Sequence, residues 1–296
     1  MNWWPKYSGW MVQAILHPDF QDIRTWLPMA VARTLVASIQ VFMATTVLAQ
    51  SVPPRVIDVP TRPGVTQRFL FMAPENARAA VVLFSGGNGG LGIESSGMID
   101  RGGNFLVRSR QLFADQGFAV AVIDAPSDRQ SPLFLSGFRQ TPEHLADIKA
   151  VIALLHQSVK ERPVWLVGTS RGTQSVAAIA TNLGGTADSP DGIVLTSTIL
   201  TDRQGRPVPE MPLGKLTIPV LVVHHEQDGC RYCAFRDIPA LMNKLTKASR
   251  KDLQTYTGGV DLGDPCEAQS YHGFNGLEKE VVTNITTWIS RGSTTP

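Results

Sequence analysis

Short uninterrupted apolar runs alternate along this chain with stretches whose apolar positions recur every three or four residues. The runs lie at 67–72, 80–84, 119–123, 164–167, 192–196 and 220–224, and VVLF, AVAVI, VWLV and PVLVV among them show no polar alternation. A strand that is apolar on both faces is one covered by helices on both sides, so these runs predict a mostly parallel sheet. Helices fit between them. One follows the capping residue Asn104 over 105–115, and a second opens after Thr141 with Leu145, Ile148, Val151, Ile152 and Leu155 on one face. Others are expected over 175–182 and 277–289. The stretch 197–218 has room for a connecting loop and little more than a single helix, so no large lid is expected.

The amino-terminal region follows a different pattern. Residues 29–49 combine Arg33, an apolar stretch and the small residues Val47 and Ala49, which is the pattern of a signal peptide cleaved after Ala49. Arg33, Thr34, Ser38, Gln40, Thr45 and Thr46 make it too polar for a good membrane span. Trp3, Trp4 and Pro5 are an unusual lead-in, so translation is expected to start at Met29. The resulting division is a signal region over 1–49, a proline-rich linker over 50–64 running into an edge strand, and one domain over 65–296. Export to the periplasm or the medium follows, without stable membrane insertion after cleavage.

Composition narrows the function. A chain of 296 residues with 43% hydrophobic residues can bury one substantial core. Its net charge of +2 carries no clustered basic run, so no nucleic-acid partner is expected.

The chemistry concentrates where one strand ends. The run PVWLV leads into Gly168-Thr169-Ser170-Arg171-Gly172 and then into a helical stretch. Small residues flanking a serine allow a strand and a helix to approach across a sharp turn that holds the hydroxyl exposed. With Asp228 after the strand at 220–224 and His272 in a loop before the last helix, the chain resembles the α/β-hydrolase superfamily over roughly 65–290. The resemblance implies Ser170 as nucleophile, Asp228 as supporting acid and His272 as general base, with Asp202 as the reserve acid and Asp261 and Asp264 less well placed. A serine hydroxyl needs an imidazole to take its proton, and the imidazole needs an anion to fix its tautomer.

The same resemblance implies an oxyanion hole from the N–H of Arg171 and one from the loop Ser85-Gly86-Gly87-Asn88-Gly89-Gly90, with Gly87 the first choice and Asn88 the second. Here the chain departs from the family, which commonly has a histidine where Ser85 stands. The Arg171 side chain reads either as a structural cation or as a contact for an acidic substrate. His224, His225, Asp228, Cys230 and Cys233 have residue types that could bind zinc, but oxidation of thiols after export and the opposite faces of adjacent histidines argue against a metal. His17, His144 and His156 read as solvated or satisfied. Three cysteines leave at least one unpaired. A Cys230–Cys266 bond would tie the acid loop to the base loop, and Cys230–Cys233 is its competitor. The expectation is therefore a cofactor-free serine hydrolase of small-molecule carboxylic esters. A peptidase or amidase of the same fold, or a catalytically silent exported binding protein, is the alternative.

Overall fold

The computed structural model describes residues 52–160 and 162–292. The signal region, the proposed start at Met29 and His17 lie outside the described residues. Eight strands form one sheet: β1 (Arg55–Arg62), β2 (Val65–Met72), β3 (Ala80–Phe84), β4 (Ala119–Ile123), β5 (Val164–Thr169), β6 (Gly192–Thr196), β7 (Val220–His225) and β8 (Lys251–Tyr256). Their order is β1-β2-β4-β3-β5-β6-β7-β8, and β2 alone runs against its neighbours. Helices α1 (Phe105–Arg108), α2 (Arg110–Asp115) and α6 (Glu278–Arg291) cover one face, and α3 (Pro142–Ser158), α4 (Gly172–Leu183) and α5 (Ile238–Lys244) cover the other. Alternate residues of a single strand feed the two cores. Val82 and Phe84 of β3 face α3 and α4, while Val81 and Leu83 face α1 and α6.

Three elements differ from the sequence expectation. The edge strand begins at Arg55, inside the proline-rich segment 50–64, so the sheet starts before residue 65. Pro60 is tolerated there because it sits at an edge-strand register shift, where a missing N–H breaks little of the ladder. Helix 105–115 is interrupted at Ser109, where the Arg110 guanidinium takes the Val107 carbonyl that a continuous helix would offer to its next turn. Strand β8 is polar and largely exposed along KDLQTY, and therefore carried no apolar signal. The segment 197–218 holds only two short 3-10 turns, Val208–Glu210 and Leu213–Lys215, and no large lid. Among the described residues, no helix is long and apolar enough to cross a membrane.

Candidate active site

Three loops at the carboxyl ends of β3, β5 and β7 meet the loop before α6. The turn after β5 holds Ser170 at φ +51°, the left-handed region that non-glycine residues rarely occupy. Two glycines permit it. A Cβ on Gly172 would sit 2.2 Å from the Phe84 carbonyl oxygen, and one on Gly168 would sit 2.6 Å from the Gly172 carbonyl oxygen. Hydrogen bonds from Ser170 N–H to Thr196 O (3.0 Å) and from Thr173 N–H to Ser170 O (2.9 Å) fix the turn.

The structure brings Asp228 and His272 together. His272 Nδ1 donates to Asp228 Oδ2 at 2.8 Å, across 44 residues, and Asp228 Oδ1 accepts the Cys230 N–H at 2.9 Å. The His272 backbone is held on both sides, its N–H by Ser270 Oγ at 3.2 Å and its carbonyl by Ser197 Oγ at 2.7 Å. Its Nε2 is buried and has no partner among the described residues. That nitrogen and Ser170 belong to residues lining the same cleft of about 300 Å³, together with Gly87, Asn88, Asn104 and Glu267. No hydrogen bond joins Ser170 to His272 as the cleft stands; such contacts are often long before substrate enters.

The other candidates fall elsewhere. Asp202 does not reach His272. It accepts Arg171 Nη1 at 2.8 Å and Gln174 Nε2 at 3.0 Å. Burial raises the Asp202 pKa, but the bonds from Arg171, the Gln204 N–H and Gln174 outweigh it and hold the carboxyl below its ordinary value. The Arg171 side chain is thus engaged in an ion pair. Asp261 and Asp264 accept the N–H groups of Tyr271 and Cys266 in exposed loop turns. The N–H groups of Gly87, Asn88 and Arg171 have no backbone or side-chain acceptor among the described residues.

The residues weighed as zinc ligands are otherwise engaged. Cys230 is bonded to Cys266, and Cys233 is free and buried. The sulfurs of Cys230 and Cys233 and a ring nitrogen of His272 lie within 4.8 Å of one another, but a disulfide sulfur has no thiolate to offer a cation. Burial, and then the Asp228 charge, push the Cys233 thiol well above its ordinary pKa. His224 Nε2 donates to the Cys233 carbonyl at 2.7 Å, and burial lowers its pKa. His225 stacks on Tyr271 with ring centres 4.3 Å apart.

Two supports of the site were missed in the sequence. Asp124, at the end of β4, accepts the N–H groups of Leu91, Ile93 and Ala125 and so anchors the end of the glycine loop. Arg139 is buried beneath the start of that loop and donates to its carbonyls. An acid after a strand could have been singled out by position. Nothing in the local sequence marks Arg139.

No family model and no curated protein matches the chain. Solved structures do. A cold-adapted esterase from an Arctic intertidal metagenomic library matches with TM-score 0.56 and 16% identity over 80% of this chain and 94% of that one. An esterase of Pyrococcus furiosus matches with TM-score 0.58 and 10% identity over 81% and 93%. Dienelactone hydrolase of Anabaena variabilis matches with TM-score 0.56 and 13% identity over 81% and 98%. The fold is that of the α/β-hydrolases.

Proposed function

We propose that this chain hydrolyses carboxylic esters of small molecules through an acyl-enzyme on Ser170. The observation that carries the reading is the unpartnered Nε2 of His272, held by Asp228 on its other nitrogen and set in the cleft that Ser170 also lines. His272 takes the Ser170 proton as Oγ bonds to the ester carbonyl carbon. Asp228 keeps the second ring nitrogen protonated and stabilises the imidazolium that forms. The carbonyl oxygen, now negative, accepts N–H groups of Arg171 and Gly87, with Asn88 the second candidate on the loop. His272 then returns the proton to the leaving alcohol. Water enters and attacks the acyl carbon as it gives a proton to His272; His272 then passes that proton to Ser170 Oγ as the acyl–Oγ bond breaks, which frees the acid and restores the serine. The roles need no cofactor.

The structural neighbours include esterases and a dipeptidyl peptidase, so ester against amide is decided by assaying nitrophenyl esters beside the matching anilides. Export of the chain remains part of the same proposal, supported by the Cys230–Cys266 bond, which persists in oxidising compartments. A fluorophosphonate probe should label the wild-type protein on Ser170, and a nitrophenyl ester panel should show turnover. Ser170→Ala should lose labelling and roughly five to six orders of magnitude in turnover while keeping its fold. A folded Ser170→Ala protein with even a tenth of the activity would end the proposal.

A further inference from the structure

We propose that Arg139 is the positioning residue of the oxyanion hole: from beneath the glycine loop its guanidinium holds three successive carbonyls away from the cleft, so that their peptide N–H groups face it. The inference rests on the ester-hydrolase reading of Ser170 and names what sets the geometry of that site.

Arg139 Nη2 lies 3.0 Å from the carbonyl oxygen of Ser85, 3.5 Å from that of Gly86 and 3.2 Å from that of Gly87. In a trans peptide the C=O of one residue and the N–H of the next point in opposite directions. Turning these three carbonyls toward Arg139 therefore turns the N–H groups of Gly86, Gly87 and Asn88 the other way. None of the three has an acceptor among the described residues, and all three residues line the cleft with Ser170. The loop also lies directly against the nucleophile, since a Cβ on Gly86 would be 3.0 Å from the Ser170 Cβ. Gly87 adopts φ +57°, and a left-handed residue within such a run makes the concave array of N–H groups that binds anions.

The guanidinium is itself pinned. Nη1 donates to Ser175 Oγ at 3.0 Å on α4, and Ser175 Oγ lies 3.0 Å from His144 Nε2 on α3. Arg139 has no carboxylate partner among the described residues and is 6% exposed. A buried cation without a counter-ion is destabilising on its own account, and burial, then the Arg171 charge, push its pKa down to about 9. At neutral pH it stays charged. Placed at the oxygen ends of these peptides, that charge polarises each N–H and makes it a stronger donor to a developing oxyanion. The chain departs from its superfamily's common loop histidine at Ser85, and Arg139 supplies the missing support from below. A lysine there would keep the charge but serve the three carbonyls less well than a planar fork.

The test is kinetic, on the full chain with a nitrophenyl ester and with phenylboronic acid, which forms a tetrahedral adduct on an activated serine. Arg139→Met should lower kcat about a hundredfold with KM changed less than about threefold, and should weaken boronate binding in step with kcat. Arg139→Lys should recover part of both. If Arg139→Met does not fold, Arg139→Lys and Ser175→Ala, which frees Nη1, carry the test, each with reduced kcat and near-normal KM. Folded variants with unchanged kcat, a loss confined to KM, or boronate affinity independent of kcat would overturn the assignment. Activity retained by Ser170→Ala would instead remove the serine-hydrolase reading, so the two failures are distinguishable.

Discussion

At the scale of single residues, the two aspartates near the site are separated by their partners. Asp228 accepts His272 Nδ1, whereas Asp202 is occupied by Arg171 and Gln174. Asp228→Asn should therefore reduce turnover about ten-thousand-fold by losing tautomer control, while Asp202→Asn should leave it within a few-fold. Steady-state assays of both variants decide, and a reversed result would move the acid to the earlier strand. His144 gives a pH signature of a different kind. Burial, with the charges of Arg139 and Arg62, lowers its pKa from 6.5 to about 3. Below about pH 6.5 the unfolded chain binds a proton that the folded chain refuses until about pH 3, so stability falls as pH falls through that window. The loss is about 1.4 kcal/mol per pH unit from this group. Urea melts between pH 7 and 4 should show a shallower decline in His144→Gln, and equal slopes would exclude the contribution. Ser170, Asp228 and His272 stood out in the sequence as candidates because a turn motif and chain order mark them. Arg139 did not, because its partners Ser85 to Gly87 lie more than fifty residues away and only folding brings them together.

At the scale of elements, apolar continuity located β3 to β7, whose strands are buried on both faces, and failed at β8, which lies at an edge and exposes most of its side chains. The turn between β5 and α4 is the junction most sensitive to volume. Gly172→Ala would drive a methyl group to 2.2 Å from the Phe84 carbonyl oxygen, which belongs to β3 and cannot yield as a side-chain tip would. The expected cost is about 1 to 3 kcal/mol of stability, with β3 and α4 forced apart and the glycine loop displaced with them. Denaturant unfolding and the esterase assay on the same sample check both effects; a fully stable, fully active Gly172→Ala would show that the junction has slack.

At the scale of the whole molecule, Asp228 precedes β8 in the chain and His272 follows it, and the Cys230–Cys266 bond joins the two loops that bear them. The bond spans a sequence separation of 36. Closing a loop of that length restricts the unfolded chain by about 3 to 4 kcal/mol, so Cys266→Ser should lower Tm by roughly 6 to 16 °C. Calorimetry on the variant tests this, and an unchanged Tm would mean that the bond constrains nothing. The same three cysteines impose a choice of partner. In an unfolded chain Cys230 meets Cys233, three residues on, far more often than Cys266, and in the folded chain the Cys233 sulfur still lies within 4.8 Å of Cys230. A hasty oxidant would thus produce chains closed at the wrong pair, with the segment before His272 untethered. Such chains are already oxidised. Their cure is a thiol catalyst that reshuffles bonds, not a stronger oxidant, so the yield of active protein should depend on isomerase supply.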